Sequence, residues 1–226
     1  MNVDHEGGRA AFLAGLDAFT RCAEGLSDLQ LMAASRCTGW TVGDVVVHVH
    51  LGLQEMLLGL VSLTAEEPDT DASSYWRITL PTTDDDADQM AGMRFVRLLS
   101  GSYRRPSNAV RHMLPTVEGV RVAASRLQSD AVRFQGHVLS RGDFLATWAV
   151  ELAIHHLDMG RELDLPPPAP SALRLARLTV EALAGVDAPR TWSDETTVLL
   201  GAGRMKPDAD QRMEASELIQ QLPVLG

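Results

Sequence analysis

Apolar residues recur at intervals of three and four along much of this chain, the period of an α-helix with one buried face. From Arg9 to about Ala33 the stripe is Phe12, Leu13, Leu16, Phe19, Ala23 and Leu26, which predicts a first long helix. Ser35–Trp40 reads as a loop. A second helix is expected from about Val42 to Thr64, with Leu51, Met56, Leu58 and Val61 among its apolar positions. A third helical region covers about Ala87 to Ser129, broken or kinked at Pro106 and Pro115. A fourth runs from Ser140 to about Glu162. The second and fourth open on the same device: Thr41-x-x-Asp44 and Ser140-x-x-Asp143 each place an N-cap side chain before an apolar run.

Between these helices lies Glu66–Gln89, rich in Asp, Thr, Ser and Pro. It reads as a long acidic connection whose middle packs through Trp76. Connections of this length are usually functional or disordered. Asp164–Pro170, with three consecutive prolines, ends the fourth helix and reads as a linker. Ser171–Ala184 is again amphipathic. Thr196–Leu200 is a β-branched and apolar run followed by Gly201-Ala-Gly203-Arg204, which predicts a short strand ending in a tight turn. Ala209–Leu222 predicts a last short helix. The pattern predicts a mainly α protein: a helical bundle over residues 1–165 and a small C-terminal α/β module over 166–226, with no more than a strand or two ahead of Pro166.

Composition narrows the function classes. The 226 residues are 45% hydrophobic and 22% charged, as in a globular domain, with a net charge of −10. That charge disfavours nucleic-acid binding, which needs a basic face. No stretch reaches the ~18 uninterrupted apolar residues of a membrane span. The acidic start, Met1-Asn-Val-Asp-His-Glu6, does not resemble a signal peptide. The expectation is a cytoplasmic protein with no nucleic-acid or membrane partner. Cys22 and Cys37 have neither redox-motif nor zinc-finger spacing and read as reduced thiols. No internal repeat, dinucleotide-binding or P-loop pattern is present.

The candidate chemistry sits where polar residues interrupt an apolar helix. In Trp148–Asp158, residues Glu151, His155 and Asp158 share one face among Ala, Val, Leu and Ile. Burying a carboxylate and an imidazole is costly without partners. A buried Glu–His hydrogen bond would satisfy them, and so would a divalent metal. His48 lies roughly 10 Å inside the second helix and Glu151 roughly 16 Å inside the fourth, at ~1.5 Å per residue. Packed side by side, the two helices can bring two histidines and a carboxylate to one level and leave an open position, the donor set of catalytic zinc or facial-triad iron sites. His50 lies about 200° around the helix from His48, and His156 about 100° from His155, so neither can replace its neighbour without rotating the helix.

These motifs together resemble the mycothiol-dependent maleylpyruvate isomerase family, within the DinB-like metalloenzyme superfamily. The matching positions are Trp40-Thr41-Val42, Asp44 and His48, with a tryptophan eight residues before the first metal histidine. Glu151, His155 and Asp158 follow, and Gly201–Arg204 and Leu222–Gly226 are similar to the family's small C-terminal module. The resemblance implies an antiparallel four-helix bundle holding a divalent metal, zinc or a similar ion, on His48, Glu151 and His155. It implies mycothiol as cosubstrate, and transfer of that thiol to, or cis–trans isomerisation of, a small electrophile. A metal-dependent hydrolase and a non-catalytic metal-binding bundle are the alternatives. Asp158 is a candidate to orient a metal ligand. Arg204 is the candidate catalytic arginine for an anionic electrophile. One or two of Arg94, Arg97, Arg104, Arg105, Arg111, Arg121 and Arg126 could also reach inward. Tyr75, Trp76 and Arg77 are placed to cover the site and contact the thiol. The partners expected are the thiol and a small molecule, with the protein a monomer or homodimer.

Overall fold

A computed structural model describes residues 1–78, 86–128 and 130–225, with backbone only at 78 and 86–89; expectations for residues 79–85 fall outside the described residues. In chain order the elements are α1 (His5–Glu24), α2 (Asp28–Leu31), α3 (Val42–Val61), β1 (Leu63–Thr64), α4 (Ser74–Ile78), α5 (Asp86–Gly101) and α6 (Pro106–Ser125). They continue with β2 (Ala131–Phe134), β3 (His137–Ser140), α7 (Arg141–Met159), α8 (Pro170–Ala184), α9 (Asp194–Gly201), α10 (Ala209–Glu214) and α11 (Ser216–Gln221).

The predicted helices are present with local changes. The first ends at Glu24, because Ser27 and Gln30 form a capping box that starts the separate α2. The third region divides at Pro106, which takes the first position of α6, where its missing N–H costs nothing. Pro115 lies inside α6 without ending it.

Four long helices, α1, α3, α6 and α7, make the bundle. Residue 8 of α1 meets 142 of α7, and Phe19 meets His156, so these two helices run in the same direction. Helix α3 runs against α7, since Gly59 meets Phe144 and Gly52 meets Trp148. Phe12, Leu16, Leu53, Met56, Met113, Phe144 and Leu152 are fully buried between them. By length and composition α3 is apolar enough to cross a membrane. Its place in the core accounts for that character: Val42, Val45, Val46, Val49 and Leu53 are all buried.

Two expectations are corrected. Three short strands, not one or two, precede Pro166, forming an antiparallel sheet in the order β1-β2-β3. Strands β2 and β3 pair Ala131 with Ser140 and Phe134 with His137. Their two-residue turn, Gln135-Gly136, has φ of 48° and 84°, the positive values that hairpins of this kind require. The second correction concerns Thr196–Leu200, which is helical, and no strand follows Pro166 among the described residues. Ser193 caps α9 by accepting from the Thr196 amide, and Asp194 and Glu195 sit at its positive end. Packing then overrides β propensity: Val198 and Leu199 join Ala172, Ala176 and Val180 of α8 in the same core as the bundle.

Candidate metal centre and its cavity

The start of each ligand-bearing helix is set by its cap. Thr41 and Asp44 form a reciprocal box at α3, and the Asp143 amide donates to Ser140 Oγ at α7. With these starts, the two helices bring His48, Glu151 and His155 together, their candidate ligand atoms all within 4.8 Å of one another. Glu151 Oε1 lies 3.3 Å from His48 Nε2 and 3.0 Å from His155 Nε2. The neighbouring histidines turn elsewhere. His50 bonds Thr116 of α6 at 3.0 Å, and His156 donates to the Pro166 carbonyl at 2.8 Å.

Both ring nitrogens of His155 face carboxylate oxygens. Its Nδ1–H donates to Asp158 Oδ2 at 3.0 Å, while Nε2 looks at Glu151. An unprotonated Nε2 and a carboxylate oxygen at that distance repel, so the gap needs a proton or another cation. In the metal-free protein a proton fills it. Burial disfavours the charged ring, but Glu151 and the Asp158 hydrogen bond outweigh burial and raise the His155 pKa well above its ordinary value. The reverse holds for Glu151: burial opposes its ionisation, and His155 and His48 nevertheless hold it far below the usual carboxylate range. A divalent ion in place of that proton would meet two imidazole nitrogens and a carboxylate oxygen. The donor set therefore fits a metal of the zinc or iron type.

Behind this set lies a second layer. Asp158 is completely buried, and its Oδ1 accepts from Arg204 Nε at 3.0 Å. Its Oδ2 also accepts from the Cys37 thiol, at 3.1 Å. Arg204 reaches this point because Gly203, at φ +66°, reverses the chain after α9 and lets the Arg204 amide bond back to the Leu199 carbonyl at 2.8 Å. Arg204 Nη1 donates to the Ala202 carbonyl, and Nη2 approaches Cys37 Sγ at 3.7 Å. Cys37 had no local signal in the sequence beyond standing three residues before Trp40; only the fold places it beside Asp158.

A cavity of about 1080 Å³ opens over the three donors. Trp40 packs on His48 with ring centroids 5.1 Å apart, and its indole N–H donates to the Met93 carbonyl of α5 at 3.4 Å. Tyr75 and Trp76 line the cavity as expected. Arg77 does not; it donates to the Leu183 carbonyl instead. None of the seven arginines between Arg94 and Arg126 lines it either, and Arg204 does.

A family model described as the mycothiol maleylpyruvate isomerase N-terminal domain matches residues 12–160. Among solved structures, the chain is similar to a crystal structure of the mycothiol-dependent maleylpyruvate isomerase, at 15% identity and a TM-score of 0.60, with 90% of each chain covered. It is also similar to a structure of a histidine-to-alanine mutant of that isomerase, at 16% identity and a TM-score of 0.55, again with 90% of each chain covered. No curated protein sequence matches.

Proposed function

The chain belongs to the mycothiol maleylpyruvate isomerase N-terminal domain family, and from that membership we propose that it is a divalent-metal enzyme that uses a low-molecular-weight thiol, mycothiol, to attack a small electrophile. The outcome is thiol transfer or thiol-assisted cis–trans isomerisation. One observation carries the reading: His48, Glu151 and His155 converge at the base of a large cavity, with Arg204 beside them. The bundle, residues 1–165, supplies the donor set, and the C-terminal helices supply the arginine.

A divalent ion held by His48, Glu151 and His155 would supply a Lewis acid that lowers the pKa of a bound thiol, so that its sulfur reacts as thiolate. The remaining work falls to side chains of this chain. Asp158 accepts the Nδ1 proton of His155, which fixes the tautomer and presents Nε2 to the cavity. Trp40 holds the His48 ring from one face. Burial, with Glu151 and Glu55 nearby, raises the Tyr75 pKa, so its phenol stays a hydrogen-bond donor. It donates to Gln135 at 2.8 Å, and Gln135 donates to Glu55 at 3.3 Å, a polar chain suited to the hydroxyls of a sugar-bearing thiol. Arg204 keeps unused N–H groups to donate to a polar atom of the electrophile.

The test is metal content and mycothiol-dependent turnover of the purified protein and of His155→Ala. The wild type should carry close to one equivalent of metal and require the thiol. The variant should lose the metal, because no other side chain on that face can replace Nε2. Full metal occupancy in the variant would overturn the ligand assignment. Turnover independent of thiol would overturn the thiol mechanism and favour activated water.

A further inference from the structure

We propose that the electrophile taken by this cavity is an uncharged, apolar aromatic compound with a displaceable group, and not a dicarboxylate; this rests on the thiol-transfer reading above. The argument is one of charge and desolvation. Besides the histidines of the donor set, Arg204 is the single cation among the described lining residues. Its Nε is committed to the buried Asp158, and its two other nitrogens have partners at Ala202 and Cys37. The lining also carries two carboxylates, Glu55 and Glu151. The sequence from 79 to 89 contains no lysine or arginine.

Apart from Cys37, Thr38, Gln54, Thr147 and the Tyr75–Gln135 pair, the rest of the wall is apolar. Leu51 of α3 and Met93, Phe95 and Val96 of α5 line the cavity with Trp40 and Trp148. Phe95 lines the cavity and is 57% exposed. The polar chain Tyr75–Gln135–Glu55 comes from α4, the β2–β3 turn and the next turn of α3. The cavity therefore offers two environments. One hydrogen-bonds hydroxyls, and the other can only exclude water. With the open position of the bound ion given to the thiol, a dianion placed against Leu51, Phe95 and Val96 would lose its hydration and find one partly committed guanidinium in return. A neutral aromatic ring loses nothing there and gains burial and contacts with the indoles. At about 1080 Å³ the space exceeds what a drug-sized ligand needs, about 300–1000 Å³, so thiol and electrophile can be held together.

With a chloroarene the step is an aromatic substitution. The thiolate sulfur forms a bond to the ring carbon that carries chlorine. The C–Cl bond breaks with its electron pair to release chloride, and the proton of the thiol goes to solvent.

Two measurements test this. First, calorimetric titration of the metal-free protein with 2,4-dinitrotoluene, which is uncharged and unreactive, and with maleate. Dinitrotoluene should bind at least tenfold more tightly, and Phe95→Asp, at an exposed position that does not endanger folding, should weaken it at least fivefold. Equal or tighter binding of maleate, or no effect of Phe95→Asp, would overturn the proposal. Second, turnover of 1-chloro-2,4-dinitrobenzene and of maleylpyruvate by the metal-loaded protein with mycothiol, each corrected for the uncatalysed rate. The chloroarene should have a kcat/KM at least a hundredfold higher. The opposite order would overturn the proposal and uphold thiol chemistry. Selective binding of dinitrotoluene with no turnover of either compound would support the apolar subsite and sink the thiol-transfer reading.

Discussion

Arg177 and Arg204 both pair with a carboxylate on the C-terminal side of the molecule, and they differ in how completely they are used. Arg177 is buried, with a side chain 7% exposed. All of its nitrogens are committed: Nε to Glu181, Nη1 to the Trp192 carbonyl and Asp194, and Nη2 to the carbonyls of Ala188 and Pro189. Five contacts match the five N–H groups of a guanidinium. Arg204 makes three, one of them to a sulfur at 3.7 Å, and faces a cavity. A saturated buried charge can only hold structure together. An unsaturated charge beside a donor set retains capacity for a ligand. The same residue type thus reads as scaffold in one place and as reactive machinery in the other, and the discriminating quantity is unused hydrogen-bonding capacity, not burial alone.

The largest expected effect tests the scaffold side. Arg177→Leu leaves Glu181 without its cationic partner and the Ala188 and Trp192 carbonyls without the guanidinium donor. It should cost about 3–5 kcal/mol in urea unfolding. Metal affinity of the fraction that remains folded should stay within about twofold, at constant pH. A loss below about 1 kcal/mol would show that the network is not a support, and the comparison would lose its reference point.

Next in size is Asp158→Asn, which removes the acceptor that both His155 and Arg204 use. Partners in this position typically set metal affinity by about 10–100-fold. A loss in that range is expected in chelator competition, with a smaller effect on the helix itself, since Asn can still accept at one oxygen. Unchanged affinity would mean that Asp158 only anchors Arg204 and does not orient His155.

Much of this contrast was visible in the sequence on one side only. The stripe Glu151–His155–Asp158 and the caps at Thr41 and Ser140 are local, repeating at helical intervals, and so they could be read. Arg204 stood out through its glycine-rich surroundings, and Gly203 does turn the chain, but at a helix end and not at a strand end. In α9 the β-branched run points to a strand, while the Ser193 cap and the two acids behind it are the local signal for the helix that forms. The β2–β3 hairpin carried its own marker in Gln135-Gly136. The Arg177 network, Cys37 beside Asp158, and the apolar wall from α5 had no such marker. The last two depend on residues distant in sequence, Cys37 and Asp158 being 121 positions apart, and the Arg177 network depends on loop carbonyls 11 to 15 positions ahead whose course no local pattern sets.

The two arginines also differ in what surrounds them on titration. No histidine is among the partners of Arg177. Around Arg204 the sign is set by His155. Its folded-state pKa is raised, with burial opposed and outweighed by Glu151 and Asp158. The stability that this protonated ring gives the metal-free protein is fully present below the unfolded value of about 6.5. It is lost as pH rises through the raised folded value. A metal must displace that Nε2 proton. Binding at pH 7 should therefore release close to one proton, read from calorimetry in buffers of different ionisation heat, and apparent affinity should rise up to about tenfold per pH unit until the ring deprotonates unaided. Metal binding without proton release would place the ion elsewhere.

The smallest effect on stability, and the sharpest on the comparison, is expected from one conservative change made at both sites. Lysine keeps the charge and loses the fork. At Arg177 the fork is what reaches Glu181, Asp194 and three carbonyls at once, so Arg177→Lys should still unfold the protein at clearly lower urea. At Arg204 a single ammonium can satisfy Asp158, the main partner, while the cavity solvates the remainder. Arg204→Lys should therefore cost less than Arg177→Lys in urea unfolding and leave metal content intact. Its effect should appear in turnover, as a lower kcat/KM, because the N–H groups aimed at the electrophile are gone. If Arg204→Lys destabilises as much as Arg177→Lys while turnover per folded molecule is unchanged, Arg204 is scaffold as well, and unused donor capacity is no guide to function in this fold.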